Sequence, residues 1–236
     1  MCKKASVAII VPVVNEKNLI ADTLNHLLSL GADEVIAVDG GSKDGTCEII
    51  MRDFPSVRCF ETAYADRALQ MNLGAFEAKS DIFLFVHADM RLPQNAVESI
   101  KDKIHIGFVG GGFKKRYSPA NWIMNLYAFL QNAFYFGMMK CLVGSNAIFA
   151  ARSAFDAEHG FPDVAFLEDL MFSECLSRRG QIAIIDQPVA VSSRRYFETG
   201  VIRQIVKNIR IMIGYKFFHE DLESLRERYK VISHGV

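Results

Sequence analysis

The sequence lacks a net charge, because its 27 lysine and arginine residues equal its 27 aspartate and glutamate residues. A broad nucleic-acid-binding face would need an excess of basic residues, so this class of protein is disfavoured. Overall charge cannot steer an anionic substrate either, and any anion site must be built locally. Half of the residues are hydrophobic, which allows a substantial core but leaves one large domain or two small ones open at this length.

Cysteine is scarce and unpatterned, with five residues and no Cys-x-x-Cys pair. Reduced thiols, and with them a cytoplasmic protein, are therefore expected. The N-terminus does not show the apolar region of a signal peptide. No run of 18 or more uninterrupted apolar residues predicts a spanning helix, and residues 122–143 favour a buried or interfacial helix instead.

Two phosphate-binding signatures are also missing. A nicotinamide-dependent dehydrogenase would carry G-x-G-x-x-G after the first strand, and this sequence does not. A sugar-nucleotidyltransferase would need a glycine-rich basic loop near the N-terminus, where residues 12–16 read PVVNE. That class stays an alternative that the sequence disfavours.

Apolar strand-like segments alternate with helical patterns over the first hundred residues. Strands are predicted at 6–11, 34–38, 57–60 and 82–86, and helices at about 20–30, 46–54, 65–79 and 95–103. This alternation indicates a parallel sheet with helices on both faces. Ligands of such sheets bind beyond the carboxyl ends of the strands, so segments 12–16, 39–44 and 87–91 are expected to converge on one crevice.

The second half of the sequence is less regular. Strands are predicted at 107–113, 147–150, 182–185 and 189–192, and helices at 152–158, 168–179 and 201–218. The last helix carries an apolar stripe and a basic stripe, the latter formed by Arg203, Lys207 and Arg210. A membrane-surface helix is one interpretation of this pattern.

Carboxylates stand at three of the predicted element ends. Asp39 closes a strand before a glycine-rich turn, where it could accept hydrogen bonds from a ribose or a base, or serve only in a capped turn. Asp89 follows another strand, where a carboxylate can hold Mg²⁺ or Mn²⁺ against a diphosphate or simply pair with a neighbouring arginine. Glu168 and Asp169 open a helix, either as dipole-favoured residues or as a general base for a sugar hydroxyl.

Ordered motifs through the chain resemble those of glycosyltransferase family 2. They are residues 10–16 (IVPVVNE), 38–46 (VDGGSKDGT), 67–75 (RALQMNLGA), 85–93 (FVHADMRLP), 144–146 (GSN) and 160–162 (GFP), followed by Glu168 and Asp169. The resemblance covers about residues 5–200. It implies an α/β GT-A fold, with a Rossmann-like, mostly parallel central sheet and helices on both faces, and an inverting transfer from a nucleotide-diphosphate sugar, a UDP-sugar being favoured.

The resemblance also assigns roles to residues. Asp169, or Glu168, would be the catalytic base, and Asp89 would hold Mn²⁺ or Mg²⁺. The nucleotide-sugar site would be lined by Pro12, Asn15, Glu16, Asp39, Gly41, Ser42, Arg67, Asn72, His87, Ala88, Gly144 and Asn146. His87 replaces the first aspartate of the family's D-x-D motif, which is similar to a subgroup that includes glycosyltransferases assigned to arsenosugar biosynthesis.

Domain limits and partners follow as expectations. Residues 1–200 would form one GT-A domain, with a nucleotide-binding half (1–105) and an acceptor-binding half (106–200), and 201–236 a C-terminal helical extension. The acceptor is an unknown hydroxyl, with a lipid-linked one among the candidates. Arg67, Arg194 and Arg195 are candidate diphosphate contacts. The aromatic segment 122–140 could serve core packing, a dimer interface, an acceptor lid or peripheral membrane contact. The non-enzyme alternative is a catalytically weak nucleotide-sugar-binding or scaffold protein, which the replacement at His87 leaves open.

Overall fold

One eight-stranded sheet organises the chain. The computed structural model describes residues 5–134, 141–164 and 166–234, with side chains in the last helix described as far as Tyr229. The strands are β1 Val7–Val13, β2 Glu34–Asp39, β3 Arg58–Glu61, β4 Ile82–Phe85, β5 Met90–Arg91, β6 Gly110–Ser118, β7 Phe149–Ala151 and β8 Ile182–Ser192. The helices are α1 Ile20–Leu28, α2 Thr46–Asp53, α3 Arg67–Glu77, α4 Ala96–His105, α5 Trp122–Phe134, α6 Arg152–Ala157, α7 Glu168–Arg179, α8 Arg194–Thr199, α9 Val201–Phe218 and α10 Leu222–His234.

The strand order is β3-β2-β1-β4-β7-β6-β8-β5. The first four strands are parallel, as predicted from the alternating pattern. The second half adds β7 antiparallel to both β4 and β6, and β8 parallel to β6. The carboxyl ends of β1, β2 and β4 therefore lie at one edge of the sheet.

Two apolar clusters cover the two faces of the sheet. Alternate residues of β1 separate between them: Val7 and Ile9 belong to the cluster that includes α1 and α4, and Ala8 and Ile10 to the cluster that includes α3 and α7. This is the two-residue period of a strand buried on both faces. The predicted arrangement, a mostly parallel sheet between two layers of helices, is confirmed.

Strand β1 continues through Pro12, where the sequence predicted its end. Val86 donates its N–H to the Ile10 carbonyl and Gly40 donates to the Val13 carbonyl, so the backbone of Pro12 faces the β4 side. The pairing of β4 with β1 stops at Ile10, so no ladder donor is needed there. A proline inside this strand is thus tolerated.

The glycine run at 110–112 is explained by backbone packing. A β-carbon at Gly111 would lie 2.1 Å from the carbonyl oxygen of Ala183 in β8, so that only glycine fits. Strand β8 runs through Pro188, which the sequence placed between two separate strands. The pairing of β6 with β8 shifts register between Phe113 and Lys115, so a bulge accommodates the extra residues.

Two elements were not predicted, the two-residue strand β5 and the short helix α8. Helix α10 lies within residues 201–236, for which a C-terminal helical extension was predicted. Residues 135–140 of the predicted segment 122–143 lie outside the described residues, and α5 ends at Phe134. No helix in the described part of the chain is both long enough and apolar enough to cross a membrane.

Candidate functional site

Asp39 and the turn after it form the first part of the site. Asp39 is 1% exposed at the end of β2, and its Oδ1 accepts hydrogen bonds from the backbone N–H (2.9 Å) and the hydroxyl (2.7 Å) of Ser42. The Ser42 hydroxyl accepts from the backbone N–H of Asn15 at 2.8 Å, and Lys43 N–H donates to Asn15 Oδ1 at 2.9 Å. The segments after β1 and β2 are therefore bound to each other.

Glu16 connects this turn to the end of β4. Its backbone N–H donates to the hydroxyl of Thr46 at 2.9 Å, and Thr46 in turn donates to Asp44. Burial raises the pKa of Glu16, the charges of Asp89 and Asp44 raise it further, and Arg194 opposes them. The three segments predicted to converge therefore lie within electrostatic range of one another.

His87 and Asp89 follow β4 in opposite environments. Burial lowers the pKa of His87 to about 3, and the charges of Arg67 and Arg195 lower it further, so the ring is neutral. Asp89 is exposed, although burial of its carboxyl group raises its pKa against the opposing charges of Arg195, Arg194 and Arg67. A neutral imidazole and a carboxylate thus follow β4 two residues apart, and the charges of Arg67 and Arg195 act on both.

The three arginines come from distant parts of the sequence. Arg67 is the first residue of α3, and Arg194 and Arg195 are the first two of α8. The start of α8 is held close to Asp89, because the Ser192 N–H donates to the Asp89 carbonyl at 3.1 Å. All three act on the pKa of Asp89. They form a local anion-attracting group in a protein of zero net charge.

Glu168 and Asp169, at the start of α7, point to different partners. Glu168 is 7% exposed and pairs with Arg67 at 3.2 Å. Burial raises the pKa of Glu168, repulsion from Asp169 adds to the rise, and Arg67 counteracts it. Asp169 instead accepts a hydrogen bond from the backbone N–H of Gly144, in a 3-10 turn over Gly144–Asn146.

A small cavity of about 10 Å³, room for a single water molecule, lies where β4, this turn and α7 meet. Its polar lining comes from His87, Gly144 and Asp169, and its apolar lining from Met71, Phe85, Ile148 and Phe161. The geometry places Asp169, and not Glu168, beside the histidine at the strand end.

A buried lysine supports the turn that holds Asp169. Lys115 in β6 is 3% exposed, and its Nζ donates to the Ser145 hydroxyl at 3.0 Å. Burial lowers the pKa of Lys115 to about 8, while the charge of Asp169 opposes the shift. The side-chain amide of Asn132 in α5 grips the Lys115 backbone through two hydrogen bonds.

Residues 8–155, well over half of the 236-residue chain, match the family described as Glycosyl transferase family 2. The chain belongs to this family. No curated protein matches the sequence.

Solved structures with the same fold include TarS and a mannosyltransferase. The crystal structure of S. aureus TarS 1–349 is similar with a TM-score of 0.65 at 18% identity, covering 88% of this chain and 65% of that one. The mannosyltransferase PcManGT from Pyrobaculum calidifontis, in complex with GDP-Man and Mn²⁺, gives 0.63 at 17% identity, covering 99% and 71%. This chain thus spans just under two thirds of TarS 1–349. At these identities the likeness establishes the shared GT-A fold, which the motifs of the family had led us to expect.

Not every residue expected to line the site from family 2 motifs has a free polar group. The Asn72 amide exchanges two hydrogen bonds with the backbone of Phe161, at 2.8 and 2.9 Å. Asn146 is 1% exposed, donates to the Phe113 carbonyl and accepts from Val143. Ala88 is buried, and its carbonyl accepts from Thr23. Pro12 and Gly41 lie beside the Asp39 turn, and Gly41 has a positive φ of 84°.

Three residues that shape the site are not among those that the sequence predicted to line it. Lys115 and Ser145 hold the turn beside Asp169, as described above. Gln70 is 3% exposed and donates from Nε2 to the carbonyls of Val13 (3.0 Å) and Val38 (2.7 Å), tying the ends of β1 and β2 together. Only Lys115 could have been found from the sequence, since it lies in a strand that begins with three glycines. A buried lysine is rare and costly unless a polar or charged group pairs with it.

The donor set at Asp89 fits a metal that is shared with substrate. Among the described residues, no group of three or more histidine, cysteine, aspartate or glutamate side chains could hold a metal ion. Asp89 makes no ion pair with another described side chain, so its carboxylate is available. Mg²⁺ is commonly held by one or two carboxylates together with substrate phosphates, and a single carboxylate at a strand end matches that mode.

Proposed function

We propose that this protein is an inverting glycosyltransferase that moves a sugar from a nucleotide-diphosphate sugar to a hydroxyl acceptor, with divalent metal assistance. One observation carries the proposal: in a chain of glycosyltransferase family 2, Asp169 lines the same small cavity as His87, which follows β4 two residues before Asp89. A base candidate and a metal-ligand candidate therefore occupy one edge of the sheet.

The nucleotide would bind along the Asp39 turn. The carboxylate of Asp39 is already oriented by Ser42, and Asn15 closes the turn. Because Asp39 is 1% exposed, this turn would shift to let the carboxylate accept a hydrogen bond from a ribose hydroxyl or a base N–H. A UDP-sugar is the favoured donor. TarS 1–349 has been solved in complex with UDP and with UDP-GlcNAc, which supports this choice.

The diphosphate would lie between Asp89 and the arginines. Mn²⁺ or Mg²⁺ held by Asp89 would neutralise charge on the diphosphate. Arg67, Arg194 and Arg195 are suited to bind phosphate oxygens through their planar guanidinium groups. Neutral His87 adds no charge to this group and can exchange hydrogen bonds with a ribose or a water molecule.

Asp169 would be the base. It takes the proton of the acceptor hydroxyl while the acceptor oxygen bonds to the anomeric carbon from the face opposite the diphosphate. The bond between that carbon and the diphosphate oxygen breaks, and its electron pair leaves with the nucleoside diphosphate, so the anomeric centre is inverted. The Gly144 N–H and buried Lys115 keep Asp169 oriented before the acceptor arrives.

We also propose that the surface formed by α5 and α9 contacts an anionic membrane. The two helices touch, and both expose large apolar side chains: Trp122, Leu126, Phe129, Leu130 and Phe134 on α5, and Ile202, Val206, Ile209, Ile213 and Phe217 on α9. Helix α5 is uncharged, and α9 has four basic residues and no acidic one. Such composition favours an anionic lipid surface over an acceptor lid or a dimer interface.

Lys207 is not part of an exposed basic stripe, although the sequence had predicted that it would be. Lys207 is 2% exposed and lies beneath the ring of Tyr229, so Arg203 and Arg210 alone are exposed, next to the apolar stripe. Phe129→Ser should reduce sedimentation with phosphatidylserine vesicles, whereas Phe76→Ser, at an 81%-exposed phenylalanine of α3, should not. Equal sedimentation of the parent and both variants would contradict the membrane proposal. So would a parent protein that is a dimer in solution and becomes a monomer in Phe129→Ser, because the apolar surface would then be a dimer interface.

A thermal-shift screen of UDP-, GDP- and other nucleotide sugars, with and without Mn²⁺, tests the main proposal. We expect stabilisation by a UDP-sugar that grows with Mn²⁺, and loss of the Mn²⁺ dependence in Asp89→Ala. Hydrolysis of the stabilising sugar nucleotide then separates an enzyme from a binding or scaffold protein. Absence of any stabilisation, or equal affinity with and without the metal, would count against the donor site or the metal site respectively.

A further inference from the structure

Tyr229, in the last helix, lies between two parts of the proposed site. Its hydroxyl accepts a hydrogen bond from Nη1 of Arg195 at 3.1 Å, and Gln204 Nε2 lies 3.5 Å away. Its ring packs against Phe166, with the ring centroids 5.2 Å apart. Phe166 precedes Glu168 and Asp169 at the start of α7.

The ring of Tyr229 also covers a buried cation. Lys207 Nζ lies 3.6 Å from the ring centroid, within the range of a cation–π contact. Burial lowers the pKa of Lys207 to about 8, and the charges of Arg195 and Arg203 lower it further. The ring is therefore held by its contacts with Phe166 and Lys207, and its hydroxyl is presented at a defined position.

The side chain of Arg195 is restricted by its hydrogen bond to Tyr229. Arg195 is an exposed residue on the six-residue helix α8, and its charge acts on the pKa of both His87 and Asp89. An exposed arginine samples many rotamers and loses that freedom when it binds an anion. A hydrogen bond that restricts the side chain beforehand reduces the entropy lost on binding.

We propose that Tyr229 is a positioning residue, which holds Arg195 toward the diphosphate site through its hydroxyl and thereby makes the C-terminal helix α10 part of that site. The inference rests on the proposed function for the identity of the anion. It assigns a role to the predicted C-terminal extension that no family motif in this sequence indicated, since the resemblance ends near residue 200.

Tyr229→Phe isolates the hydroxyl. Phenylalanine keeps the packing on Phe166 and the face over Lys207, so the melting temperature should stay within about 2 °C. We expect the Kd for inorganic pyrophosphate at low ionic strength, measured by titration calorimetry, to rise about three- to tenfold. The KM for the nucleotide sugar should rise by a similar factor while kcat changes less than twofold.

Two further variants make the test specific. Tyr215→Phe is the matched control, because the Tyr215 hydroxyl binds Glu174 and not an arginine, and it should leave both constants unchanged. In an Arg195→Ala background, Tyr229→Phe should have no additional effect, since the hydroxyl acts through Arg195.

The outcomes separate this inference from the proposed function. The inference is overturned if Tyr229→Phe leaves the Kd for pyrophosphate unchanged, or if the parent protein does not bind pyrophosphate. It is also overturned if Tyr229→Phe raises this Kd by the same factor in the Arg195→Ala background as in the parent. If no sugar nucleotide binds but Tyr229→Phe still weakens pyrophosphate binding through Arg195, the positioning role stands and the transferase proposal fails.

Discussion

Gly144 donates its backbone N–H to Oδ2 of Asp169, and the side chains of His87 and Asp169 leave no space for a larger residue at this position. A β-carbon at Gly144 would lie 2.5 Å from Nε2 of His87 and 2.9 Å from Asp169 Oδ2. The turn, the histidine at the strand end and the candidate base thus form one tightly packed unit. A displacement of any of the three displaces the others.

Gly144→Ala should therefore reduce transfer by about 10²-fold, because a shift of about 1 Å in a catalytic group has effects of that size. The measurement is the steady-state rate with saturating donor, together with the thermal midpoint. Gly107→Ala is the control: nothing lies within 4 Å of its β-carbon, but its φ of +101° should cost about 1–2 kcal/mol of stability. A Gly144→Ala enzyme as active as Gly107→Ala would contradict the crowded geometry.

Asp169→Asn should lower the transfer rate by about 10²–10⁴-fold, because the amide cannot accept the acceptor proton. The affinity for the nucleotide sugar should stay within about twofold, since the cavity that Asp169 lines has no residue of the Asp39 turn in its wall. Glu174→Gln serves as control, as that carboxylate is on the same helix but pairs with Lys216. Near-full activity of Asp169→Asn would assign the base to another residue, and Glu168→Gln would then be the next variant to measure.

The sequence predicted the parallel half of the fold because short, mostly apolar strand segments alternate with helical patterns over the first hundred residues. Residues 201–218 were predicted as a helix with the bounds it has. A strand was predicted at 147–150, but the antiparallel direction of β7 was not, and neither was the two-residue β5, because their pairing partners are distant in sequence. Pro12 and Pro188 were treated as strand ends, and only the neighbouring strands show why each is tolerated.

The strand-end carboxylates of the site were predictable for the same reason, since chain order and the parallel sheet fix where Asp39 and Asp89 lie. The supports of the site were not. Nothing local in the sequence shows that Lys115 binds Ser145, that Gln70 joins two strand ends, or that Tyr229 binds Arg195, because each pair is separated by 30 or more residues.

His87 should make the protein sensitive to acid. Its pKa is about 3 when folded and about 6.5 when unfolded, so the unfolded chain binds more protons between these values. Its contribution to stability is complete above pH 6.5 and is lost as the pH falls toward 3. Between pH 7 and pH 5 this amounts to about 2 kcal/mol of unfolding free energy.

His87→Gln removes this titration. Urea denaturation at pH 7 and pH 5 should show that the parent loses about 2 kcal/mol more than the variant. The loss of unfolding free energy in the parent must be compared with the loss in the variant. In both proteins the raised pKa values of Asp89 and Glu168 increase stability as the pH falls, which opposes the effect of His87. Equal losses in both proteins would mean that His87 is accessible to protons in the folded state.

Lys115→Met should separate stability from activity. The pKa of Lys115 is lowered to about 8 when folded, so burial of the charged form destabilises the protein fully below pH 8 and is relieved as the pH rises toward 10.5. Methionine fills similar space without the charge, so the unfolding free energy at pH 7 should stay equal or rise by about 1 kcal/mol. Transfer should fall at least about tenfold, because the Gly144–Asn146 turn loses its lysine donor and Asp169 loses a neighbouring cation.

Lys114→Met is the matched control, since Lys114 pairs with an exposed aspartate, Asp186, at 2.6 Å, and neither property should change. Urea denaturation at pH 7 and pH 9.5, with transfer rates at pH 7, completes the test. The parent should gain stability relative to Lys115→Met as the pH rises from 8, because only the parent contains the buried charge. A variant that is less stable than the parent at pH 7 and equally active would show that Lys115 stabilises the core and does not hold the base.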